Sequence, residues 1–143
     1  MAGHLDLCRL IELPKVTDPR GNLTFIEENR HIPFEIKRVF FIYDIPTGQS
    51  RGAHAHRISQ QFLVCMSGSF NVNLDDGYQK KIVHLDKPWQ GLYIPSMIWA
   101  SESEFAHGSI CMVLASDLYQ ETDYYRDYSV FLTDVSEQRN RKL

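Results

Sequence analysis

The chain has 143 residues and a formal net charge of -3, and its basic residues are scattered rather than clustered, which argues against a nucleic-acid partner or an anionic membrane surface. It has no apolar run of membrane-spanning length and no signal-peptide pattern at its start, so we expect a cytoplasmic protein. This length suits one domain with one hydrophobic core, and the three cysteines lack metal-type spacing, so we expect them to be reduced.

Short strand patterns separated by turn residues fill most of the chain. A first strand is predicted over 5–13 and a second over 22–28, with a turn between them at Asp18–Gly21, where proline and glycine favour a reversal. The later predicted strands cover 36–43, 54–56, 62–66, 70–74, 78–85, 91–94, 98–102 and 109–115. Many short strands at this spacing indicate an antiparallel sandwich or barrel, here over about 5–117.

The C-terminal part has a different pattern. Tyr124, Tyr128, Phe131 and Val135 recur at intervals of four, three and four residues, which predicts an amphipathic helix over about 121–138. We therefore expect a single domain, 1–143, made of an all-β barrel followed by a short α-helix.

Two histidines lie in the most informative stretch. From Gly48 to Gly68 the spacing is G-x5-H-x-H-x4-Q-x6-G, with His54, His56 and Gln61 at its polar positions. Residues two apart on a strand project from the same face, so the two imidazoles should face the same way. This spacing resembles the first motif of the cupins, which implies a double-stranded β-helix, the jelly-roll barrel of that class.

A metal site is not expected here, although metal-binding cupins carry two such histidines. In those proteins the position of Gln61 is usually Glu, and a later ligand histidine falls where this chain has Ala100. Two imidazoles and a neutral amide are a poor ligand set for zinc or iron. We therefore predict no metal and no cofactor, with a metal-dependent oxygenase as the rival interpretation.

The histidine pair is better suited to acid–base chemistry. Imidazole has an ordinary pKa of about 6.5, so one ring can accept a proton and another donate one near neutral pH. The alternative is a pair of buried structural histidines. We predict that His54 and His56 are catalytic.

Over about 8–131 the chain resembles the dTDP-4-keto-6-deoxyglucose 3,4-ketoisomerases. The motifs that carry the resemblance are Asp18–Gly21, Ile26–Asn29, Ile32–Phe34, Arg51–His56, Leu74–Gly77, Val113–Asp117 and Glu121–Tyr124 with Arg126. The resemblance implies a metal-independent cupin that converts dTDP-4-keto-6-deoxyglucose into a 3-keto-6-deoxyhexose. Such products lead to 3-amino sugars of O-antigen or S-layer glycans.

The implied reaction needs residues at the sugar and at the diphosphate. Removing the C3 proton, holding an enediolate and reprotonating C4 is acid–base chemistry, which the resemblance assigns to the two histidines. Guanidinium groups suit the diphosphate. The substrate-binding candidates are Arg20, Arg51, Arg38, Tyr93 and Gln61.

Some features of the sequence leave alternatives open. Phe40-Phe41 stands where relatives are expected to carry tyrosines, and Ala100 stands where they often carry a histidine, so the gluco or galacto configuration of the product is not predicted. A dTDP-4-keto-6-deoxyhexose 3,5-epimerase and a non-catalytic sugar-nucleotide-binding protein are the rivals. The resemblance also implies a homodimer that exchanges its N-terminal strand, 5–13.

Overall fold

Antiparallel strands dominate the structure, a computed structural model that describes residues 4–141. The strands are β1 (Arg9–Glu12), β2 (Lys15–Asp18), β3 (Gly21–Thr24), β4 (Arg38–Ile42), β5 (Arg51–His56), β6 (Gln61–Ser67), β7 (Phe70–Asp75), β8 (Lys80–Leu85), β9 (Gln90–Ile94), β10 (Trp99–Ser103), β11 (Ile110–Ala115) and β12 (Tyr124–Tyr125). The α-helix is α1 (Tyr128–Arg141), and 3-10 turns cover Leu5–Leu7 and Glu121–Asp123.

Two five-stranded sheets face each other. One has the order β1-β9-β6-β11-β4, the other has the order β12-β5-β10-β7-β8, and β2 and β3 form a separate hairpin. All paired strands in these sheets are antiparallel. This architecture confirms the predicted all-β jelly-roll class with a C-terminal helix.

Strand β6 shows how the pattern of side chains builds the core. Leu63 and Cys65 point between the two sheets, whereas Phe62 and Val64 join a second cluster on the outer face of the first sheet. A strand covered on both faces reads as a continuous apolar run rather than an alternating one. Gly91 in the neighbouring β9 makes this packing possible, because a Cβ atom there would lie 2.0 Å from the Phe62 ring.

The N-terminal strands differ from the prediction. The predicted strand over 5–13 begins only at Arg9, after a 3-10 turn, and the predicted strand over 22–28 ends at Thr24. The strand β2, Lys15–Asp18, was not predicted. It pairs with β3 across a two-residue turn, and its largely exposed residues give no inside-outside alternation to detect.

The predicted helix over 121–138 was wrong at both ends. Tyr124 belongs to β12 and pairs with His56, so it does not form the first position of a helical stripe. The helix begins after Asp127, whose carboxylate accepts a hydrogen bond from the Ser129 N–H at 2.9 Å and so caps the first turn. Phe131 then packs, fully buried, against the outer face of the second sheet.

Within residues 4–141, no helix combines the length and the apolar character needed to cross a bilayer.

Candidate active site

A β-bulge in β5 sets the direction of the first histidine. His54 pairs with Ala100 and Gly52 pairs with Ser101, which leaves Ala53 as an extra residue on this strand. Gly52 and Ala53 have φ angles of 86° and 64°. A left-handed conformation costs a residue with a side chain roughly 1–2 kcal/mol, and bulges of this kind reorient a neighbouring side chain. The local strain is thus located directly beside His54.

His54 and His56 project from the same face of β5, as their spacing predicted. Their ring centroids lie 5.1 Å apart with the planes nearly perpendicular, and both rings line a cavity between the two sheets. His54 is half-buried, whereas His56 is buried. His54 is therefore the more accessible of the two rings.

Asp123 holds the second histidine. Its Oδ2 atom lies 2.9 Å from His56 Nδ1, and the backbone N–H groups of Ile58 and Ser59 also donate to this carboxylate, at 2.7 and 3.3 Å. With Nδ1 donating to the carboxylate, the lone pair of His56 is on Nε2, which is buried and has no hydrogen-bond partner among the described residues. Sequence reasoning did not assign a role to Asp123, although it lies in a motif that carried the resemblance.

Both imidazoles are poised as neutral bases. The pKa of His54 is lowered to about 4, chiefly by burial and also by the nearby His56 and Arg126. Burial also lowers the pKa of His56, and the hydrogen bond and charge of Asp123 oppose this effect. At neutral pH both rings can accept a proton.

The cavity has a volume of about 410 Å³ and includes two of the predicted substrate-binding residues, Arg51 and Gln61. Tyr124 and Arg126 also line it and were not singled out from the sequence as site residues. The Tyr124 ring centroid lies 4.9 Å from that of His54, and the Arg126 guanidinium lies 4.3 Å from the Tyr124 centroid. Cationic and aromatic groups therefore share the wall with the histidines.

The remaining predicted residues lie outside this cavity. Arg20 is at the tip of the β2–β3 hairpin, with its side chain 89% exposed and paired with Asp18. Tyr93 points to the outer face of the first sheet and donates a hydrogen bond to Gln60 Oε1 at 2.6 Å. Within this single chain, neither residue meets the histidines.

Arg38 occupies an intermediate position. It does not line the cavity, but its charge contributes to the lowered pKa of His56. Its guanidinium lies 5.0 Å from the Phe40 ring centroid, and its buried Nε atom has no hydrogen-bond partner among the described residues. Its predicted role in substrate binding stays a prediction.

Glu102 adds a carboxyl group to the interior of the barrel. It lies two residues after Ala100 on β10, lines the cavity and is buried. Burial raises its pKa to about 7, and the charge of Arg51 partly opposes this rise. Glu102 was not predicted as a site residue, because strand alternation alone does not show that this carboxyl group faces a cavity.

Among residues 4–141, no three His, Cys, Asp or Glu side chains come together in a way that could hold a metal ion. The prediction of a metal-independent reaction stays a prediction, which metal analysis of the purified protein would test.

The jelly-roll barrel and its histidine-lined cavity define a cupin. The family described as FdtA, WxcM-like, C-terminal matches residues 6–136, and the chain belongs to this family. It is 46% identical over 123 residues to the TDP-4-oxo-6-deoxy-alpha-D-glucose-3,4-oxoisomerase of Aneurinibacillus thermoaerophilus. This match covers 86% of this chain and 88% of that protein.

Solved structures agree with this assignment. The sugar 3,4-ketoisomerase QdtA of Thermoanaerobacterium thermosaccharolyticum, in complex with TDP, has a TM-score of 0.91 and 36% identity over 94% of this chain and 98% of that chain. The TDP-quinovose 3,4-ketoisomerase WlaRB of Campylobacter jejuni has a TM-score of 0.85 and 41% identity, and the match covers 88% of this chain and 97% of that chain. The dTDP-4-dehydrorhamnose 3,5-epimerase of Bacillus anthracis has a TM-score of 0.73 and 16% identity, and the match covers 82% of this chain and 76% of that chain. This likeness shows a shared fold alone. The chain is thus an isomerase of the 3,4-ketoisomerase type.

Proposed function

We propose that this enzyme converts dTDP-4-keto-6-deoxyglucose into a dTDP-3-keto-6-deoxyhexose. The observation that carries the proposal is the pair of neutral imidazoles, one of them held by Asp123, on the wall of a cavity in a chain of this family. Moving a ketone from C4 to C3 requires a base at C3 and an acid at C4, and no net change in oxidation state. The site offers both functions in adjacent groups.

His54 takes the C3 proton in this mechanism, because it is the more accessible ring. The C3–H electron pair forms the C3=C4 double bond, and the carbonyl pair moves to O4. The proton passes to His56, whose ring centroid lies 5.1 Å away and whose positive charge Asp123 stabilises, and it exchanges with solvent while the histidine pair holds it. His56 then delivers a proton to C4, and the pair is neutral again.

Arg51 and Arg126 are suited to the diphosphate. Both line the cavity that contains the histidines, and guanidinium groups form forked hydrogen bonds with phosphate oxygens. Arg38 is the third cation near the site. The Tyr124 ring supplies an aromatic face between Arg126 and the histidines.

A homodimer is part of the proposal, and it gives Arg20 access to a site. An apolar groove on the outer face of the first sheet, lined by residues such as Phe25, Val39, Met66 and Met112, supports an association of two chains. In the single chain β1 pairs with its own β9, so strand exchange requires the partner's β1 to make this pairing. Light scattering tests the stoichiometry, and a monomer at working concentration contradicts the dimer.

The test of the activity is proton NMR of dTDP-4-keto-6-deoxyglucose in D₂O with the protein and no added metal or cofactor. We expect a 3-keto isomer with deuterium at C4 and none introduced at C5, and the C4 coupling identifies the gluco or galacto configuration. His54→Asn should lose about 10²–10⁴-fold in rate, because general acid–base catalysis by one side chain has this magnitude. His107→Asn, at an exposed position, is the matched control.

Other outcomes would identify the rival functions. Deuterium at both C3 and C5 indicates an epimerase. An unchanged spectrum with demonstrated binding of the sugar nucleotide indicates a binding protein and contradicts the catalytic assignment of His54 and His56. Stoichiometric iron in untreated protein, with activity lost to a chelator, indicates a metal-dependent reaction. Fractionation of the producing cells tests the predicted cytoplasmic location.

A further inference from the structure

A buried carboxyl group in the cavity has no part in the mechanism above. Glu102 is only 7% exposed, yet its side chain lines the cavity, and its shifted pKa has burial and the charge of Arg51 as its causes, with no hydrogen bond among them. Buried carboxyl groups are normally paired, because an unpaired one is costly. A group left open toward a substrate cavity is available to the substrate.

The strand geometry aligns this carboxyl with the histidine wall. Ala100 pairs with His54 across the ladder, and Glu102 lies two residues further along β10, on the same face and about 7 Å along the strand. Ala100 has only a methyl group, so no long side chain at that position separates His54 from Glu102. The base and the carboxyl group therefore lie on neighbouring strands and line the same cavity.

Ketoisomerisation moves a proton between oxygens as well as between carbons. The substrate has a ketone at C4 and a hydroxyl at C3, and the product has the reverse. The histidine pair accounts for the carbon-bound proton, but a proton must also leave O3 and another must arrive at O4. A carboxylic acid has a donor and an acceptor oxygen on one carbon, so it suits two neighbouring sugar oxygens.

We propose that Glu102 is a further catalytic residue, which carries the proton between O3 and O4 of the sugar. Its acid group donates a hydrogen bond to O4 while the C3=C4 double bond forms, and the proton then passes to O4. Its carboxylate then takes the proton from O3, and the O3–H electron pair forms the C3 carbonyl. At the same time the electron pair of the C3=C4 double bond takes the proton from His56 at C4. Glu102 ends protonated, as it began. This inference rests on the proposed function.

The surroundings of Glu102 favour its acid form. Arg51 on β5 and the Cys111 thiol on β11 interact electrostatically with Glu102, and the other titratable or charged side chains that line the cavity are Tyr43, His54, His56, Tyr124 and Arg126. Of these, Arg51 favours the carboxylate, whereas burial favours the neutral acid and dominates, with a pKa of about 7. The acid form is thus well populated in the free enzyme near neutral pH.

The experiment compares Glu102→Gln with the wild type in the D₂O assay. The amide still donates a hydrogen bond to O4 but transfers no proton, so C3 deuteration of recovered substrate should continue while 3-keto product falls about 10²-fold or more. Glu104→Gln is the matched control, because Glu104 is exposed and near the end of the same strand. A C3 exchange that falls in proportion to product formation overturns the proposal.

A pH profile gives a second, independent readout. In the wild type, kcat/KM should decline as pH rises through about 7, because the free enzyme loses the acid form of Glu102. The same decline in Glu102→Gln overturns the proposal, and Glu102→Asp, which keeps a carboxyl, should recover part of the rate. A wild type that makes no 3-keto product refutes the proposed function, whereas an active Glu102→Gln refutes this inference alone.

Discussion

Replacing Glu102 by glutamine should stabilise the fold above neutral pH, because the wild-type carboxyl is buried and unpaired. Its pKa is about 7 in the folded protein, against 4.5 as its ordinary value. At about 1.4 kcal/mol per pKa unit, this rise corresponds to about 3 kcal/mol. The folded chain binds the proton more tightly, so wild-type stability decreases as pH rises from 4.5 to 7. The glutamine variant does not titrate and avoids this loss.

Urea unfolding followed by tryptophan fluorescence at pH 4, 6 and 8, at one protein concentration, measures the effect. At pH 4 the two proteins should have nearly the same free energy of unfolding, and at pH 8 the variant should be more stable by about 3 kcal/mol. Glu104→Gln should change stability by less than about 0.5 kcal/mol at every pH, because that side chain is exposed. Two results refute the assignment of a buried, unpaired acid. One is a difference in free energy of unfolding between Glu102→Gln and the wild type that is the same at all three pH values, and the other is a wild type that is more stable than the variant at pH 8.

Three further predictions concern the histidine site, the helix and the dimer. Asp123→Asn should reduce kcat about 10²-fold with little change in KM, measured in the NMR assay, because the carboxylate that stabilises the charged His56 is lost; an unchanged kcat contradicts this role. Phe131→Ala should cost about 3–5 kcal/mol in urea unfolding, since the ring is fully buried, and an effect no larger than that of the exposed Val130→Ala contradicts the packing. If Arg20 acts at the partner's site, Arg20→Ala chains refolded together with His54→Asn chains should regain activity that neither variant has alone, and no regain contradicts a shared site.

The sequence by itself determined the fold class and the common strand face of the two histidines. Turn residues at short intervals and apolar runs such as 62–66 and 109–115 mark strands wherever they lie, because side-chain alternation and turn preferences are local properties. The H-x-H spacing likewise placed His54 and His56 on one face of a strand without any knowledge of their neighbours. The structure confirmed both.

Only the tertiary structure decided which groups meet these histidines. Asp123 is 67 residues from His56, and Glu102 reaches the cavity because β10 pairs with β5 through a bulge that no local pattern predicted. The tertiary structure also decided which predicted substrate-binding residues lie away from the histidines, since Tyr93 faces outward and Arg20 lies on an exposed hairpin. Strand order and register arise from burial summed over the whole barrel, so contacts between distant segments are not encoded in the spacing of any one of them.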